Sequence, residues 1–470
     1  MTDDFERAKL GDKRLDARAQ KIVKALASKP EETLPEVFED DQELQNTYEL
    51  FRHDWLSFSD LTRPHFEATA ERCGIVENDV SVIHDTTQFD FPLHDEKRRE
   101  HLARFSSKRQ GFLGHASLAI ASGEVACPLG YLAYQPFVHQ KDLDDESSRT
   151  FWEGFDGVFD YEPDRWTRGI EQAERQLKHV DNVVHIYDAE GDNYGILAFM
   201  EKKNFRFVSR LKRIRRATTT DEEGLLRELM NKKPVSFTRQ LWVTKKKPVG
   251  KVAPPKERRP GRSAREATLE VRTGRLGIVR PRKARKSWPK KIEVNLVHLR
   301  EVDPPEDEEP VEWFLATTEP IDSEEEVDSI IRKYKERWLI EEANKTIKTG
   351  CAYTKRRLGG AGQLLNLLAI TLPVSLDLLR FRYLSRAVPD WPATAVVTQQ
   401  QLEILQMTST KVKWSEEPTV AEATYAVAKL GGFLKRNKTP GWQTLSRGHQ
   451  TLLEYEIGWV AARRSTGLPE

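Results

Sequence analysis

The sequence predicts an α/β protein flanked by helices, and three observations carry that expectation. Between Val80 and Leu211 short runs of β-branched and aromatic residues recur, divided at first by turns and later by helical stretches. The chain before them repeats its apolar residues at helical spacing, and the chain beyond Ser323 is dominated by helix again. At 470 residues there is room for two or three domains, because single cores seldom grow past a few hundred residues.

With 32% charged and 38% hydrophobic residues the chain is polar, yet 11 Trp and 20 Phe are too many for a mostly disordered one. Its 75 Lys and Arg nearly cancel 74 Asp and Glu, so the net charge of +1 points to no partner until the charges are located. Cys73, Cys127 and Cys351 are scattered and outside any CxxC pairing, which argues against a disulfide framework or a zinc module and suits a reducing cytoplasm. No apolar stretch follows the acidic start Met1-Thr2-Asp3-Asp4, and the most apolar segment, Leu364 to Phe381, is interrupted by Asn366, Pro373, Asp377 and Arg380. Neither a secretory signal nor a membrane span is therefore expected.

The elements follow in order. Ala8 to Ala27 reads as an amphipathic helix, with Asp12 placed to cap it and Leu15, Ala19, Ile22, Val23 and Leu26 on its apolar face. Lys13, Arg14, Arg18, Lys21 and Lys24 make the other face, suited equally to gripping phosphates or to meeting solvent. Helices at Asp41 to Phe51 and Asp60 to Cys73 complete a small N-terminal domain. Strands are expected at Val80 to Phe89, Ala116 to Ser122, Pro128 to Tyr134, Asn182 to Asp188 and Phe205 to Leu211. Helices at Ser148 to Phe155, Trp166 to His179 and Tyr194 to Lys203 fall between the later ones. Three strands followed by strand-helix alternation is the order of an RNase H-like fold. From Lys212 to Glu312, Lys245-Lys246-Lys247, Lys256 to Arg265 and Arg280 to Lys291 suggest an inserted β-rich subdomain with basic loops, suited to a polyanion. Asp303 to Glu309 reads as a linker, Val311 to Thr318 as a strand, and Ser323 with Glu326 as the capping box of a long helix.

Two of these strands run into an acid. Val80-Ser81-Val82-Ile83-His84-Asp85 is followed by Thr86-Thr87, and Val183-Val184-His185-Ile186-Tyr187-Asp188 repeats the plan. A carboxylate at the C-terminal end of a strand is where α/β sheets place their sites, although one such Asp alone serves as well to cap a turn. Alternation turns His84 and His185 away from the faces carrying the acids, and oxygen ligands alone suit Mg²⁺ or Mn²⁺ better than Zn²⁺. Further on, Tyr334, Arg337, Glu341, Lys345 and Lys348 fall within a helical stripe roughly 80° wide, while Glu342 belongs to another face. Without other information that stripe is an ordinary helix with a Glu341–Lys345 pair.

Here the sequence resembles a known family, the DDE transposases of the group-four insertion sequences, over nearly the whole chain. The family's last acid lies in a motif of Tyr, two residues, Arg, three residues, Glu, six residues and Lys, which Tyr334, Arg337, Glu341 and Lys348 satisfy. Asp85-Thr86-Thr87 and Asp188-Ala189-Glu190-Gly191-Asp192 look like the contexts of its first and second acids. Leu10-Gly11-Asp12-Lys13-Arg14 and Leu430-Gly431-Gly432-Phe433 are similar to terminal segments of the family. Ala189 departs from the Arg usual there, so one DNA contact is lost or supplied elsewhere.

The resemblance implies a cut-and-paste transposase. Asp85, Asp188 and Glu341 would be its catalytic acids, holding two Mg²⁺ per active site, with Mn²⁺ able to substitute. Tyr334, Arg337 and Lys348, aided by Lys345, would hold phosphates, and Trp313 would stack on a base leaving the helix. In the strand Phe205 to Lys212, Arg206, Arg210 and Lys212 share a face that could also grip DNA. The expected partners are double-stranded DNA, as transposon-end inverted repeats and as target, and a second copy of the chain in a synaptic homodimer, with no membrane. The setting would be a bacterial cytoplasm, at the nucleoid when bound to DNA. The implied division is a helical DNA-end-binding domain at 1–70, an RNase H-like catalytic domain at 71–375 with the insertion at about 212–312, and a helical dimerisation domain at 376–470. In the last of these, apolar residues from Tyr425 to Trp459 exceed what a terminal tail needs. With its N-terminal segment present, the chain does not look like a truncated inhibitor form. The rivals are a transposase-derived DNA-binding regulator without catalysis and a nuclease of the same fold that joins no strands.

Overall fold

The computed structural model describes residues 2–53, 55–93, 99–158, 162–212, 215–246, 261–306, 308–434 and 440–466. The chain forms two compact units, one of Met1–Asn182 with Trp338–Glu470 and the other of Val183–Arg337.

The first unit opens with helices α1 (Lys13–Ser28), α2 (Leu34–Val37), α3 (Asp41–Arg52) and α4 (Phe58–Gly74). Asp12 caps α1 by accepting the Arg14 N–H, and Leu15, Ala19, Ile22, Val23 and Leu26 are its buried residues, as helical spacing required. Its basic face is laced with acids, Arg18 meeting Glu49, Lys21 meeting Glu43 and Lys24 meeting Glu6. Strands β1 (Val80–Pro92), β2 (Ala103–Ser106), β3 (Arg109–Ala121) and β4 (Cys127–Phe137) form an antiparallel sheet, followed by α5 (Glu146–Gly154) and α6 (Glu162–Gln176). β1 and β3 pair along their full length, from Val80 opposite Ala121 to Pro92 opposite Arg109. Both outrun their sequence signals; in β3, Gly111 and Gly114 weaken the local strand pattern that pairing then overrides.

In the second unit, β5 (Val183–Tyr187), α7 (Tyr194–Lys203) and β6 (Phe207–Leu211) make the expected parallel crossover. β7 (Arg216–Thr218), β8 (Glu223–Leu225), α8 (Leu226–Asn231), β9 (Phe237–Val243), β10 (Arg265–Val279), β11 (Lys291–Glu301), β12 (Glu312–Thr317) and α9 (Glu324–Glu336) follow. β12 pairs with β6, β11 with β12, and β10 with β11, all antiparallel. Two strands of the expected insertion thus prolong the sheet that contains β6. Their alternation, with Ala267, Leu269 and Val271 buried on one and Ile292, Val294 and Leu296 on the other, supplies the core face. The acidic stretch before β12 is tied down rather than loose, since Glu308 accepts the Ser263 N–H at 2.8 Å and pairs with Arg265. Asp307, Lys247 and residues 256–260 of the expected linker and basic runs lie outside the described residues.

The chain then returns to the first unit through α10 (Trp338–Lys345), a π-turn at Thr346–Gly350, α11 (Ala361–Ala387), α12 (Gln399–Thr408), α13 (Val420–Leu430) and α14 (Trp442–Thr466). α11 is long and apolar enough to cross a membrane, but 89% of its most apolar window is buried against the rest of the protein, including α1, α3, α4 and β4. The surplus apolar surface expected near the C-terminus is largely spent on this chain: Phe433, Leu445 and Leu452 are buried in a cluster with Leu402, Leu405 and Val427, and Tyr425, Leu430 and Trp459 pack against it. Gly431 and Gly448 let α13 and α14 approach, since a Cβ at Gly448 would stand 1.8 Å from the Val427 carbonyl oxygen. Tyr455 and Ile457 remain exposed, and the Trp442 side chain lies outside the described ones.

Candidate active site

Asp85 lies in the middle of β1, not at a strand end as its sequence context suggested. What ends there is burial on both faces. Val80 to His84 are buried, Asp85 to Thr87 are half-buried, and Gln88 is exposed. His84 faces inward, its Nδ1 3.0 Å from the Ser117 hydroxyl and its ring stacked on His115 at 6.0 Å. Thr86 Oγ1 lies 2.9 Å from His115 Nδ1, and burial, with help from Arg165, pushes the His115 pKa down to about 3. The histidines are interior groups, as alternation required.

Asp85 and Thr87 of β1, with Glu341, Asn344, Lys345, Lys348 and Thr349, line a hollow of about 250 Å³. Leu339, Ile340 and Ala343 bury the inner face of α10 and leave Glu341 and Lys345 exposed. Glu342 points elsewhere, to Arg382 of α11 at 2.7 Å, so the helix separates two adjacent acids as its periodicity predicts. The Asn344 amide donates to Asp85 Oδ2 at 3.3 Å, while its own Oδ1 is buried without a partner. Lys348 donates to Thr87 Oγ1 at 2.6 Å and sits 5.4 Å from the Phe89 ring centre; burial lowers its pKa against the opposing pull of Asp90 and Asp85. The stripe spans three helical segments: α9 stops at Glu336 with Arg337 as its C-cap, Glu341 and Lys345 lie on α10, and Lys348 sits in a wider π-turn of the kind common at functional sites.

In the second unit Asp188 directly follows β5, at the strand end predicted for it. Its Oδ1 accepts the Glu190 N–H at 2.7 Å, so it also caps the turn. The same unit holds a group of aromatic and cationic side chains. The Tyr334 ring meets Trp313 edge-on at 5.2 Å, and the Arg210 guanidinium lies 6.0 Å from the Trp313 ring centre and donates to the Glu312 carbonyl. Burial raises the Tyr334 pKa; Arg210 and Arg337 oppose this and Asp188 adds to it, which places all three charges within electrostatic reach of the phenol. Lys212 is exposed. Arg206 precedes β6, and Glu319 holds it at 2.9 and 2.6 Å.

Sequence reasoning passed over two groups. Asn344, three residues after Glu341, lies on the helical face already singled out and was the findable one. Asp192 is buried, accepts the Lys212 N–H at 3.0 Å and pairs with buried Arg215, tying the loop after Asp188 to the loop after β6. Nothing in the local pattern gives that long-range pair.

Among the described residues no three His, Cys, Asp or Glu side chains stand together as a metal-binding group. Asp85 and Glu341 share one hollow, and Asp188 belongs to the other unit. The donors at the hollow are carboxylate, hydroxyl and an unpartnered amide oxygen, which fit a hard divalent cation better than a soft one.

Residues 1–56 match the family model described as Transposase DNA-binding, and residues 167–372 match the one described as Transposase DDE domain. The chain is a DDE transposase. The DDE match takes in Asp188, Arg210, Lys212, Trp313, Tyr334, Arg337, Glu341, Lys345 and Lys348, while Asp85 precedes it. The DNA-binding match covers α1 and α3, where Lys13 and Arg14 are exposed at the start of α1. Transposases of this family cut DNA with divalent metal ions.

Proposed function

We propose that this transposase moves its element by cut-and-paste, in the manner of the group-four insertion sequences, with Asp85, Asp188 and Glu341 as the acids that hold two Mg²⁺ ions. The observation that carries this reading is the pairing of Asp85 and Glu341 at one hollow, with Lys345 and Lys348 beside them, in a chain with a transposase DDE domain. Bound there, the ions would supply positive charge to the attacking and leaving oxygens of an in-line phosphoryl transfer.

The protein's own groups do the rest. Lys348, fixed by Thr87, and exposed Lys345 offer charge to a phosphate of the strand being cut. Asn344 orients Asp85 through its amide. Tyr334, Arg337 and Arg210 hold the backbone beside Trp313. Water cuts the strand, the freed 3′-OH attacks the opposite strand to close a hairpin, and a second water opens it before the end joins the target. Closing a hairpin drives a base out of the stack, and the half-buried Trp313 ring, edge-on to Tyr334 and close to Arg210, is suited to receive it.

The working form we propose is a homodimer that pairs two ends in the bacterial cytoplasm. Most of the C-terminal apolar residues serve the chain's own core, so the face left for a second copy is the narrower one at Tyr455 and Ile457 of α14. The test is a gel assay of purified protein with Mg²⁺ on duplexes carrying the inverted repeats that flank its gene. Hairpin and strand-transfer products are expected. Nicks without hairpins would reduce the protein to a nuclease, and binding without nicks to a regulator.

A further inference from the structure

The turn joining β10 to β11 is longer than a hairpin needs and is unusually basic. Between Val271 and Ile292 the sequence has nine Lys and Arg and no Asp or Glu. Arg282, Lys283, Arg285, Lys286 and Lys290, all in the turn, are exposed. A basic loop is ordinarily a solvated, mobile one, but this loop is braced. The Arg280 guanidinium reaches inward to the carbonyls of Lys286 and Trp288, each at 2.6 Å, and the Arg280 backbone N–H donates to the Lys290 carbonyl at 2.9 Å. Two further turns close within it, Ala284 N–H to the Pro281 carbonyl and Trp288 N–H to the Arg285 carbonyl.

Trp288 then latches the loop onto α7. Its ring lies 6.2 Å from that of Tyr194, whose hydroxyl donates to the Pro289 carbonyl at 2.9 Å. The latch depends on Gly195, where a Cβ would stand 2.6 Å from the indole. So the fold spends an arginine, a tryptophan and a glycine on holding five like charges at fixed spacing. Their mutual repulsion opposes that arrangement, and a polyanion lying along the loop would offset it.

We infer that the braced turn from Arg280 to Lys291 is a second DNA-gripping surface of the transposase, separate from the N-terminal DNA-binding domain, and that it takes the phosphate backbone of duplex DNA. Bracing matters because the ordering cost of the loop is met before DNA arrives, leaving each phosphate contact its full value. The surface carries no group suited to reading bases selectively and should be indifferent to sequence. It rests on the shown DNA-binding character of the chain and not on the hairpin chemistry proposed above.

The test measures the affinity of the full-length protein against salt on two probes. One is a duplex selected by the protein's own N-terminal domain, and the other is a random-sequence duplex. The comparison variant carries Arg282→Gln, Lys283→Gln, Arg285→Gln, Lys286→Gln and Lys290→Gln together. Each phosphate contact contributes about 0.9 to the slope of log affinity against log salt, so a fall of about two or more in slope is expected, with about tenfold or greater weakening at moderate salt. A fall on both probes marks a general backbone grip. A fall on the selected probe alone assigns the surface to the transposon end, and on the random probe alone to target DNA. Trp288→Ala keeps every charge and should weaken binding while leaving the slope nearly intact. Unchanged slope and affinity in the five-site variant on both probes overturns the inference, and wild-type protein that bound neither probe would instead refute the DNA-binding reading itself.

Discussion

Asp85 and Asp188 look interchangeable in sequence, each reached through an apolar strand with a histidine close before it, yet the protein surrounds them differently. Asp85 shares a hollow with a second acid and two lysines, held by an amide from Asn344. Asp188 follows a strand end and lies within electrostatic reach of Tyr334, whose ring meets Trp313 and whose phenol also feels Arg210 and Arg337. The first setting brings two carboxylates and hydroxyl oxygens together beside two lysines, and suits a hard cation with a phosphate next to it. The second offers a stacking platform and positive charge, and suits a nucleic acid strand. One sequence pattern serves two kinds of neighbourhood, because what surrounds a strand residue comes from distant parts of the chain.

The largest expected effect tests whether both neighbourhoods serve one reaction. Asp85→Ala, Asp188→Ala and Glu341→Ala should each reduce Mg²⁺-dependent cleavage to background while binding of DNA ends survives in a mobility-shift assay. Glu342→Ala should cleave within a few-fold of the parent, because its carboxylate serves Arg382 and not the hollow. Loss in Glu342→Ala with retention in Glu341→Ala would remove Glu341 from the site. Loss in Asp85→Ala with full activity in Asp188→Ala would confine the chemistry to the first unit.

Trp313→Ala probes the aromatic side of the contrast. Nicking should persist while hairpin yield drops about five- to a hundredfold, the range that one lost base stack of about 1–3 kcal/mol implies. Slowed nicking with normal hairpins would make Trp313 a packing residue like its neighbour Phe314.

Asn344→Ala removes the amide that faces Asp85, and a single hydrogen bond to a carboxylate is worth about 1.5 kcal/mol or more. Cleavage should fall about tenfold, and the Mg²⁺ concentration for half-maximal activity should rise. An unchanged metal requirement would mean that Asn344 only fills space.

The smallest effect concerns acid. Burial lowers the pKa of His65, His115 and His449 in the first unit, and in the second that of His298. The unfolded chain takes up these protons below about pH 6.5 while the folded one refuses them, so stability falls as pH drops from there toward the folded value, about 3 for His115. Asp4 acts in the same direction. Its burial alone would raise the pKa, but hydrogen bonds from His65 and Arg72 lower it to about 2, and that stabilisation is lost below the usual carboxylate range. Hydrogen exchange at pH 4 should therefore expose β1 to β4 before β10 and β11. The reverse order would show that the buried histidines do not set acid stability.

The sequence by itself determined what depends on neighbours close along the chain. The cap and buried face of α1, the capping box at Ser323 and Glu326, the crossover from β5 through α7 to β6, and the separation of Glu341 from Glu342 all follow from local spacing and local hydrogen bonds. Tertiary structure decided the rest. Pairing with β3 carried β1 beyond Asp85 and made a strand end into a strand middle. Arg18, Lys21 and Lys24 of α1, and Arg206, found acids from remote segments, whereas the turn between β10 and β11 is a basic stretch with no acid in its own sequence. Most C-terminal apolar residues found partners on α11 and α12, while Leu434, Tyr455 and Ile457 stayed exposed. Periodicity fixes which face of an element is apolar or charged, but what that face meets is set by contacts between residues far apart in sequence, where no local pattern records the partner.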